Sequence, residues 1–208
     1  MWFESLLKLI FPPVCEVCRD RSEEPLCPRC FEKIRFMKPQ LGVHSATLYD
    51  GVVKTAIHRF KFQKKRGLAE PLGVILVKYI SELPRFNLKD FDYLVPIPLH
   101  PRRMKTRGFN QAELLAEVVG RYYEVPLKPA LERIKDTDPQ YGLPRDKRLT
   151  NIKEAFRVSQ PGAICNKKLL LVDDIYTTGA TMAECCKTLK VAGAKEVGIV
   201  TLARAQEM

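Results

Sequence analysis

Two adjacent carboxylates followed by hydroxyl side chains form the pattern in this sequence with the clearest chemical meaning. In the stretch LLLVDDIYTTGAT, an apolar run leads directly into Asp173 and Asp174. The residues that follow are small or hydroxylated: Thr177, Thr178, Gly179, Ala180 and Thr181. A short loop of this kind before a helix predicts a phosphate site, because backbone N–H groups and hydroxyls donate to phosphate and glycine permits close approach.

The acid pair indicates what accompanies the phosphate. Carboxylates repel phosphate, but they accept hydrogen bonds from vicinal hydroxyls and they bind Mg²⁺. A phosphate beside a diol describes a ribose 5-phosphate. The sequence contains neither a Walker loop nor a GxGxxG fingerprint. The alternative is an ordinary strand and capped helix, in which two buried acids would still need partners.

Four of the seven cysteines lie in the stretch CEVCRDRSEEPLCPRC, at Cys15, Cys18, Cys27 and Cys30. Two C-x2-C pairs at this spacing predict a structural, tetrahedral Zn²⁺ site in which every ligand is a sulfur. The segment has little apolar content, so metal binding would supply much of its folding free energy. Disulfides are the alternative, but they need an oxidising compartment, and we find no secretory signal pattern.

Strands that alternate with helices must position these residues. Strand patterns occur in HSATLYDG, DYLVPIPL, KLLLV and EVGIVTLA, and helical periodicity occurs in VVKTAIHRF, EPLGVILVKYISEL, NQAELLAEVVGRYY and TMAECCKTLKVAGA. Asn110 is the expected cap of the third helix. This order predicts an α/β fold with a mostly parallel sheet, whose ligands bind at the carboxyl ends of strands. Residues 135–152 form a long irregular stretch, which predicts a functional flap or disorder.

The division of the chain follows from these patterns. We assign residues 1–40 to an apolar N-terminal helix and the zinc module, and residues 41–208 to the α/β domain. The first stretch, MWFESLLKLIFPP, is too short to span a bilayer. It predicts a short helix packed on its own protein, and docking to a membrane or a partner is the alternative. We expect a cytoplasmic protein, with peripheral attachment at the inner face of the membrane as the second option.

The charge balance indicates an anionic partner. The 35 Lys and Arg residues outnumber the 24 Asp and Glu residues, which gives a net charge of +11. Such a surplus favours binding to phosphate, nucleic acid or an anionic membrane surface. A basic protein without a polyanionic partner is the alternative.

Taken together, the motifs resemble a known family. LLLVDDIYTTGAT is similar to the phosphoribosyl pyrophosphate (PRPP) binding motif of type I phosphoribosyltransferases. The wider chain resembles the ComF family of competence-associated phosphoribosyltransferase-like proteins in three stretches and in its cysteine module. The stretches are VPIPLHPRRMKTRGFNQAELLA, PQYGLPRDKRLTNIKEAFRV and LLLVDDIYTTGATMAECCKTLKVAGAKEVGIVTLAR. RGFNQAELLA is the part that points to this branch. Relatives often carry additional cysteines, and this chain has none between Cys30 and Cys165.

The resemblance implies a role for each motif. Asp173 and Asp174 would bind the ribose hydroxyls of PRPP with Mg²⁺ and would be central to any catalysis, while residues 177–181 would hold the 5-phosphate. The pyrophosphate loop would comprise Leu99, His100, Arg102 and Arg103, where the arginines offer forked donors to phosphate; a solvated basic loop is the alternative. The irregular stretch would be the flap over PRPP, with the candidates Gln140, Arg145, Arg148 and Asn151.

A basic, aromatic tract suggests a second ligand. HRFKFQKKR interleaves cations with two phenylalanines, a combination suited to single-stranded DNA. The candidate DNA-binding residues are Phe60, Lys61, Phe62, Lys64, Lys65, Arg66, Lys105 and Arg107. Helical periodicity leaves core packing open for one phenylalanine.

Two functions remain open at this point. The resemblance implies a protein of DNA uptake in natural transformation, which binds PRPP and single-stranded DNA and has a DNA-uptake helicase or a membrane channel complex as a candidate partner. The alternative is a soluble phosphoribosyltransferase of nucleotide metabolism with an unidentified acceptor. The sequence leaves open whether any transfer is catalysed.

Overall fold

The structure, a computed structural model, describes residues 12–39, 42–136 and 152–206 of the 208-residue chain. The strands within these ranges are β1 Val43–Leu48, β2 Tyr93–Pro96, β3 Leu131–Arg133, β4 Phe156–Val158, β5 Lys168–Tyr176 and β6 Glu196–Arg204. Four of them form a parallel sheet in the order β1-β6-β5-β2. The predicted α/β fold with a parallel sheet is therefore confirmed.

The helices of the described residues lie between these strands. They are α1 Pro28–Phe31, α2 Gly51–Phe62, α3 Ala69–Ser81, α4 Pro101–Arg107, α5 Gln111–Tyr123 and α6 Ala180–Val191. Short 3₁₀ turns occur at Arg66–Leu68, Leu88–Asp90 and Pro161–Ala163. The predicted cap of α5 is confirmed, because the Asn110 side-chain oxygen accepts from the Ala112 N–H at 3.1 Å.

Apolar side chains on both faces of β5 divide the core into two layers. Leu170 and Val172 belong to the cluster that contains α2, α3 and α5, whereas Leu169 and Leu171 belong to the cluster on the α6 side. All four side chains are fully buried. This alternation explains why the strand reads as a continuous apolar run, as in parallel strands covered on both sides.

The cysteine module packs directly on the first of these layers. Cys15, Cys27 and Cys30 belong to the same buried cluster as Leu72 and Leu76 of α3. Backbone hydrogen bonds extend the contact along β1, since the Met37 N–H donates to the Ala46 carbonyl at 2.9 Å. The division at residues 40–41 stays a prediction, but the two parts share one core.

A two-stranded antiparallel ribbon, β3 with β4, was not predicted from the sequence. The ribbon brackets the irregular stretch, because β3 ends at Arg133 and β4 begins at Phe156. The flap candidates Gln140, Arg145, Arg148 and Asn151 lie outside the described residues, as does the N-terminal apolar stretch 1–11. Among the helices of the described residues, none combines the length and apolar character that a membrane crossing requires.

Candidate functional site

The acid pair lies within strand β5 rather than after it. The sequence suggested that the strand ends at Val172, but pairing with β6 continues through Asp173 opposite Thr201 and Tyr176 opposite Arg204. Because side chains alternate along a strand, Asp174 shares the face of Val172 and Asp173 lies on the opposite face. The two carboxylates therefore approach the carboxyl end of the sheet from its two sides.

Asp174 is held by a cation from a distant part of the chain. The residue is 5% exposed, and its Oδ1 accepts a hydrogen bond from Lys61 Nζ of α2 at 2.7 Å. A buried carboxylate needs such a partner to remain ionised. Lys61 is therefore part of the acid site in this structure, and its role in DNA binding stays a prediction.

Asp173 has an unusual protonation equilibrium. Burial, and then the charge of Asp174, raise the pKa of Asp173 to about 7, although the charges of Lys61 and Arg133 and the N–H of Asp174 act in the opposite direction. That N–H donates to Asp173 Oδ1 at 2.8 Å. A carboxylate that ionises near neutral pH is well placed to respond to a cation or hydroxyl donor.

The loop after β5 has the features expected of a phosphate site. Thr177, Thr178 and Gly179 connect the strand to α6, whose first helical residue is Ala180. Gly179 has φ of +78°, and a Cβ at this position would lie 2.3 Å from the Tyr176 hydroxyl oxygen. Glycine is required here because Tyr176 folds over the backbone. Thr181 lies in the first turn of α6, the positive end of the helix dipole, which favours an anion.

Gly179→Ala is expected to weaken phosphate-dependent ligand binding, because both the positive φ and the Tyr176 contact resist a Cβ. The strain of a non-glycine residue in this conformation is on the order of 1–3 kcal/mol, and we expect the free loop to relieve it by leaving the binding conformation, so PRPP affinity should fall by about 5- to 150-fold in calorimetric titration. Gly162→Ala is the matched control, since a Cβ there meets nothing within 4 Å. Equal affinity of the two variants would contradict the assignment of the loop.

The predicted pyrophosphate loop is the start of a short helix. His100 caps α4, and its Nδ1 accepts from the Arg102 N–H at 3.4 Å and lies 3.3 Å from the Asp136 carboxylate. The Arg102 guanidinium donates to the same carboxylate at 3.1 Å. Asp136 therefore ties these residues to the edge of the irregular stretch. The charge of Arg103 contributes to lowering the pKa of Arg107 and of Arg133, so Arg103 lies near these two guanidinium groups. Leu99 is half-buried just before the helix.

The motif RGFNQ, residues 107–111, connects α4 to α5 and holds Arg107 near the acid pair. Gly108, at φ of +82°, ends α4, and the Asn110 amide donates to the Ile97 carbonyl at 3.0 Å. Arg107 donates to Gln111 Oε1 at 2.7 Å. Burial lowers the pKa of Arg107, and the charges of Asp174 and Asp173 oppose that shift, so the guanidinium stands in the field of both acids.

Arg133 is a site residue that the sequence did not single out. This residue of β3 is buried, and burial lowers its pKa, followed by the charge of Arg103, while Asp173 acts in the opposite direction. Its guanidinium lies 5.6 Å from the Phe156 ring centroid. In the stretch ALERI this arginine looks like an ordinary exposed charge, so only the tertiary structure reveals it.

The basic tract separates into buried and exposed parts. Phe60 is fully buried and packs on Phe109 at 5.3 Å between ring centroids, so the prediction that Phe60 stacks on bases is wrong for this structure and the core alternative applies. Phe62 is 63% exposed. Lys64, Arg66 and Lys105 are also exposed.

Glu16 connects the tract to the cysteine module. Its carboxylate lies 3.0 Å from Lys65 Nζ and 3.8 Å from the nearest guanidinium nitrogen of Arg59. Because Glu16 lies between Cys15 and Cys18 in the first C-x2-C pair, the module directly contacts the end of α2.

The four cysteines have the geometry of a tetrahedral thiolate site. Their sulfurs lie within 4.8 Å of one another, with 3.8 Å between Cys15 and Cys30 and 3.7 Å between Cys18 and Cys27. A regular tetrahedron with Zn–S bonds of about 2.3 Å requires about 3.8 Å between sulfurs. Disulfide bonds, at about 2.05 Å, do not fit these distances.

Backbone N–H donors favour the ionised form of one of the four cysteines, Cys15. The N–H groups of Val17 and Cys27 each lie 3.4 Å from Cys15 Sγ. Burial opposes ionisation, but these hydrogen bonds and that of Cys18 lower the pKa of Cys15 to about 6. A thiolate at neutral pH is the form that binds Zn²⁺.

A parallel α/β sheet with this acid pair and phosphate loop, joined to a four-thiolate module, defines a phosphoribosyltransferase-type protein with a zinc ribbon. Residues 105–207 match the phosphoribosyl transferase domain family, and residues 6–46 match the double zinc ribbon domain family. The four cysteines of the matched segment complete one metal site.

Curated relatives cover nearly the whole chain. Competence protein F of Haemophilus influenzae is 30% identical over 92% of this chain and 90% of its own length. Competence protein ComFC of Streptococcus pneumoniae is 34% identical over 91% of this chain and 86% of its own length. DNA utilization protein YhgH of Escherichia coli is 30% identical over 92% of this chain and 90% of its own length. The chain therefore belongs to the ComF/YhgH family. Among solved structures, it aligns with the glutamine PRPP amidotransferase of B. subtilis at 14% identity and a TM-score of 0.47, over 69% of this chain and 30% of that chain.

Proposed function

We propose that the protein binds Mg²⁺ and PRPP at the end of β5, binds single-stranded DNA on the adjacent basic surface, and acts in DNA uptake. The observation that carries the PRPP assignment is the continuity of Asp173, Asp174 and the loop 177–179 into the N-terminus of α6. In this arrangement, carboxylates that can accept hydrogen bonds from hydroxyls lie a few residues from N–H and O–H groups that can donate to a phosphate.

Each part of the site has a separate task in this proposal. Asp173 and Asp174 accept hydrogen bonds from the ribose hydroxyls, while the loop and first turn of α6 donate to the 5-phosphate. Mg²⁺, when bound with PRPP, neutralises pyrophosphate charge. Arg107, which stands in the field of the acid pair, and Arg103, whose charge acts on Arg107, extend that electrostatic stabilisation from the protein side.

The DNA-binding part rests on surface chemistry and on the family. The net charge of +11 favours a polyanion, Phe62 exposes an aromatic ring, and the cations Lys64, Arg66 and Lys105 are exposed as well. Two relatives are named competence proteins and another is named a DNA utilization protein. A DNA-uptake helicase or membrane channel complex as partner, and action at the cytoplasmic side of the membrane, rest on the family alone.

Lys64, Arg66 and Lys105 replaced together by Gln should flatten the salt dependence of single-stranded DNA binding. Each lost phosphate contact should reduce the slope of log affinity against log salt by about 0.7, so the triple variant should lose about 2. Fluorescence anisotropy with a labelled oligothymidine measures the slope. The control replaces Lys89, Lys168 and Lys195, which lie at the amino-end side of the sheet. An unchanged slope in the first variant would show that this surface does not bind the strand.

The alternative function is phosphoribosyl transfer to a small acceptor of nucleotide metabolism. In such a transfer, the acceptor forms a bond to the anomeric carbon, the carbon–oxygen bond to pyrophosphate breaks, and the protein stabilises the charge that leaves. Pyrophosphate release in a screen of bases and amines, with and without single-stranded DNA, discriminates the two functions. Release with one small acceptor and no dependence on DNA would favour the enzyme of nucleotide metabolism.

A further inference from the structure

We propose that PRPP and single-stranded DNA bind to overlapping parts of one basic site at the carboxyl end of the sheet, so that each ligand weakens binding of the other. This inference rests on the proposed function and adds to it the relation between the two ligands. The sequence assigned the two ligands to separate sets of residues, and the positions of two cations join those sets.

Lys61 is the first shared cation. Its ammonium donates to Asp174 at 2.7 Å, while the next residue along α2, Phe62, is 63% exposed. Two consecutive residues of α2 therefore connect the acid pair with an exposed aromatic ring.

Arg107 is the second shared cation. Its guanidinium lies 5.3 Å from the centroid of the Phe62 ring, and it also stands in the field of Asp174 and Asp173. Helix α4 carries Arg103, whose charge acts on Arg107, and exposed Lys105 on the same seven-residue segment. The candidate pyrophosphate cations and the candidate DNA cations are therefore neighbours on one helix.

An exposed pair of rings forms the rim of this site, which we call the stacking platform and define as Phe62 and His58. Their ring centroids lie 5.0 Å apart, and both residues are exposed. Exposed aromatic faces beside cations are the arrangement by which proteins bind unpaired bases without reading their sequence. Duplex DNA, whose bases are stacked inside, cannot use such a platform, so the fitting partner is a single strand.

The sign of the coupling follows from charge. PRPP and the DNA backbone are both polyanions, and each gains affinity from Lys61 and Arg107. Once one ligand neutralises these cations, the other loses that attraction and meets like charge at short range. Thermodynamic linkage requires the same factor in both directions.

The test measures oligothymidine affinity by fluorescence anisotropy at constant ionic strength and constant Mg²⁺, without PRPP and with saturating PRPP. We expect PRPP to raise the Kd for the strand by at least about fivefold, within the usual range of coupling between sites. Calorimetric titration of PRPP in the presence of saturating strand should give the same factor. Lys64→Met, at an exposed position outside the Lys61–Asp174 pair, should weaken strand binding and leave the factor unchanged.

The outcomes separate this inference from the function on which it rests. If both ligands bind and the factor is one, or if PRPP tightens strand binding, the overlap is wrong and the proposed function stands. If either ligand fails to bind alone, the proposed function fails and the overlap fails with it. Lys61→Met, after thermal unfolding has confirmed a folded protein, should reduce the factor; an unchanged factor would remove Lys61 from the shared set.

Discussion

Asp173→Asn is expected to lower PRPP affinity by about 10- to 150-fold, since hydrogen bonds to an ionised group contribute about 1.5–3 kcal/mol each. The pH dependence adds an independent signature. Because the pKa of Asp173 is raised to about 7, wild-type affinity should increase between about pH 6 and pH 8 as the carboxylate ionises. The asparagine variant lacks this group and should show a flatter profile. Isothermal titration calorimetry with Mg²⁺ across this range measures both effects.

Protein stability distinguishes lost binding from lost folding in this variant. The pKa of Asp173 is raised above its usual value of 3.8, so the folded state holds the proton more tightly than the unfolded state. Ionised Asp173 therefore costs stability, and this cost grows from about pH 4 to pH 7. Asp173→Asn should be at least as stable as the wild type at pH 8. An intact, stable variant that binds PRPP with wild-type affinity would remove Asp173 from the site.

Asp174 is unsuitable as the first test because it is itself buried in an ion pair with Lys61. Removing this carboxylate leaves Lys61 without its counter-ion, and loss of one member of a buried pair typically costs about 3–5 kcal/mol. Reduced ligand affinity in Asp174→Asn would then mix a binding effect with a folding effect. Asp173→Asn, in contrast, keeps a side-chain oxygen that can accept the hydrogen bond from the Asp174 N–H.

Removing Zn²⁺ is expected to destabilise the α/β domain as well as the cysteine module. The sequence suggested a separate N-terminal module whose own folding depends on its metal. In the structure, Cys15, Cys27 and Cys30 belong to the same core cluster as Leu72 and Leu76. Structural zinc sites contribute on the order of 10 kcal/mol to folding, which exceeds the stability of many whole domains. Chelation should therefore lower the thermal midpoint of the whole protein, as monitored by far-UV circular dichroism.

Cysteine variants provide the control for metal removal. Cys15→Ser should release zinc and lower the midpoint to the same extent as chelation, whereas Cys186→Ser, on α6 and outside the thiolate cluster, should retain the metal. Elemental analysis of protein purified without added metal should give one zinc per chain. A value near zero, with disulfides intact under reducing conditions, would contradict the site.

Local patterns identified the features that depend on nearby residues. The parallel strands, the Asn110 cap, the four thiolates and the loop before α6 all follow from periodicity or spacing over a few residues. Features that depend on tertiary contacts remained hidden. Lys61 and Asp174 are 113 residues apart in the chain, so no window on the sequence could pair them.

The remaining differences have the same physical origin. Phe60 and Phe62 are chemically equal candidates for stacking, and only the packing of α2 buries the first and exposes the second. β5 continues past Val172 because β6 supplies hydrogen-bond partners as far as Tyr176, which outweighs the poor strand preference of two acids. Arg133 enters the site because the β3–β4 ribbon places it there.

The position of Glu16 has a consequence for how relatives of this protein can diverge. This residue lies inside the first C-x2-C pair, yet its carboxylate lies close to Arg59 in the last turn of α2 and to Lys65 just after that helix, which also carries Lys61 to Asp174. A zinc ribbon taken from another protein could bind its metal and still lack the carboxylate that pairs with Arg59 and Lys65 in this chain. We therefore expect position 16 to co-vary with positions 59 and 65 among homologues, and chimeras that ignore this match to lose function while both halves fold.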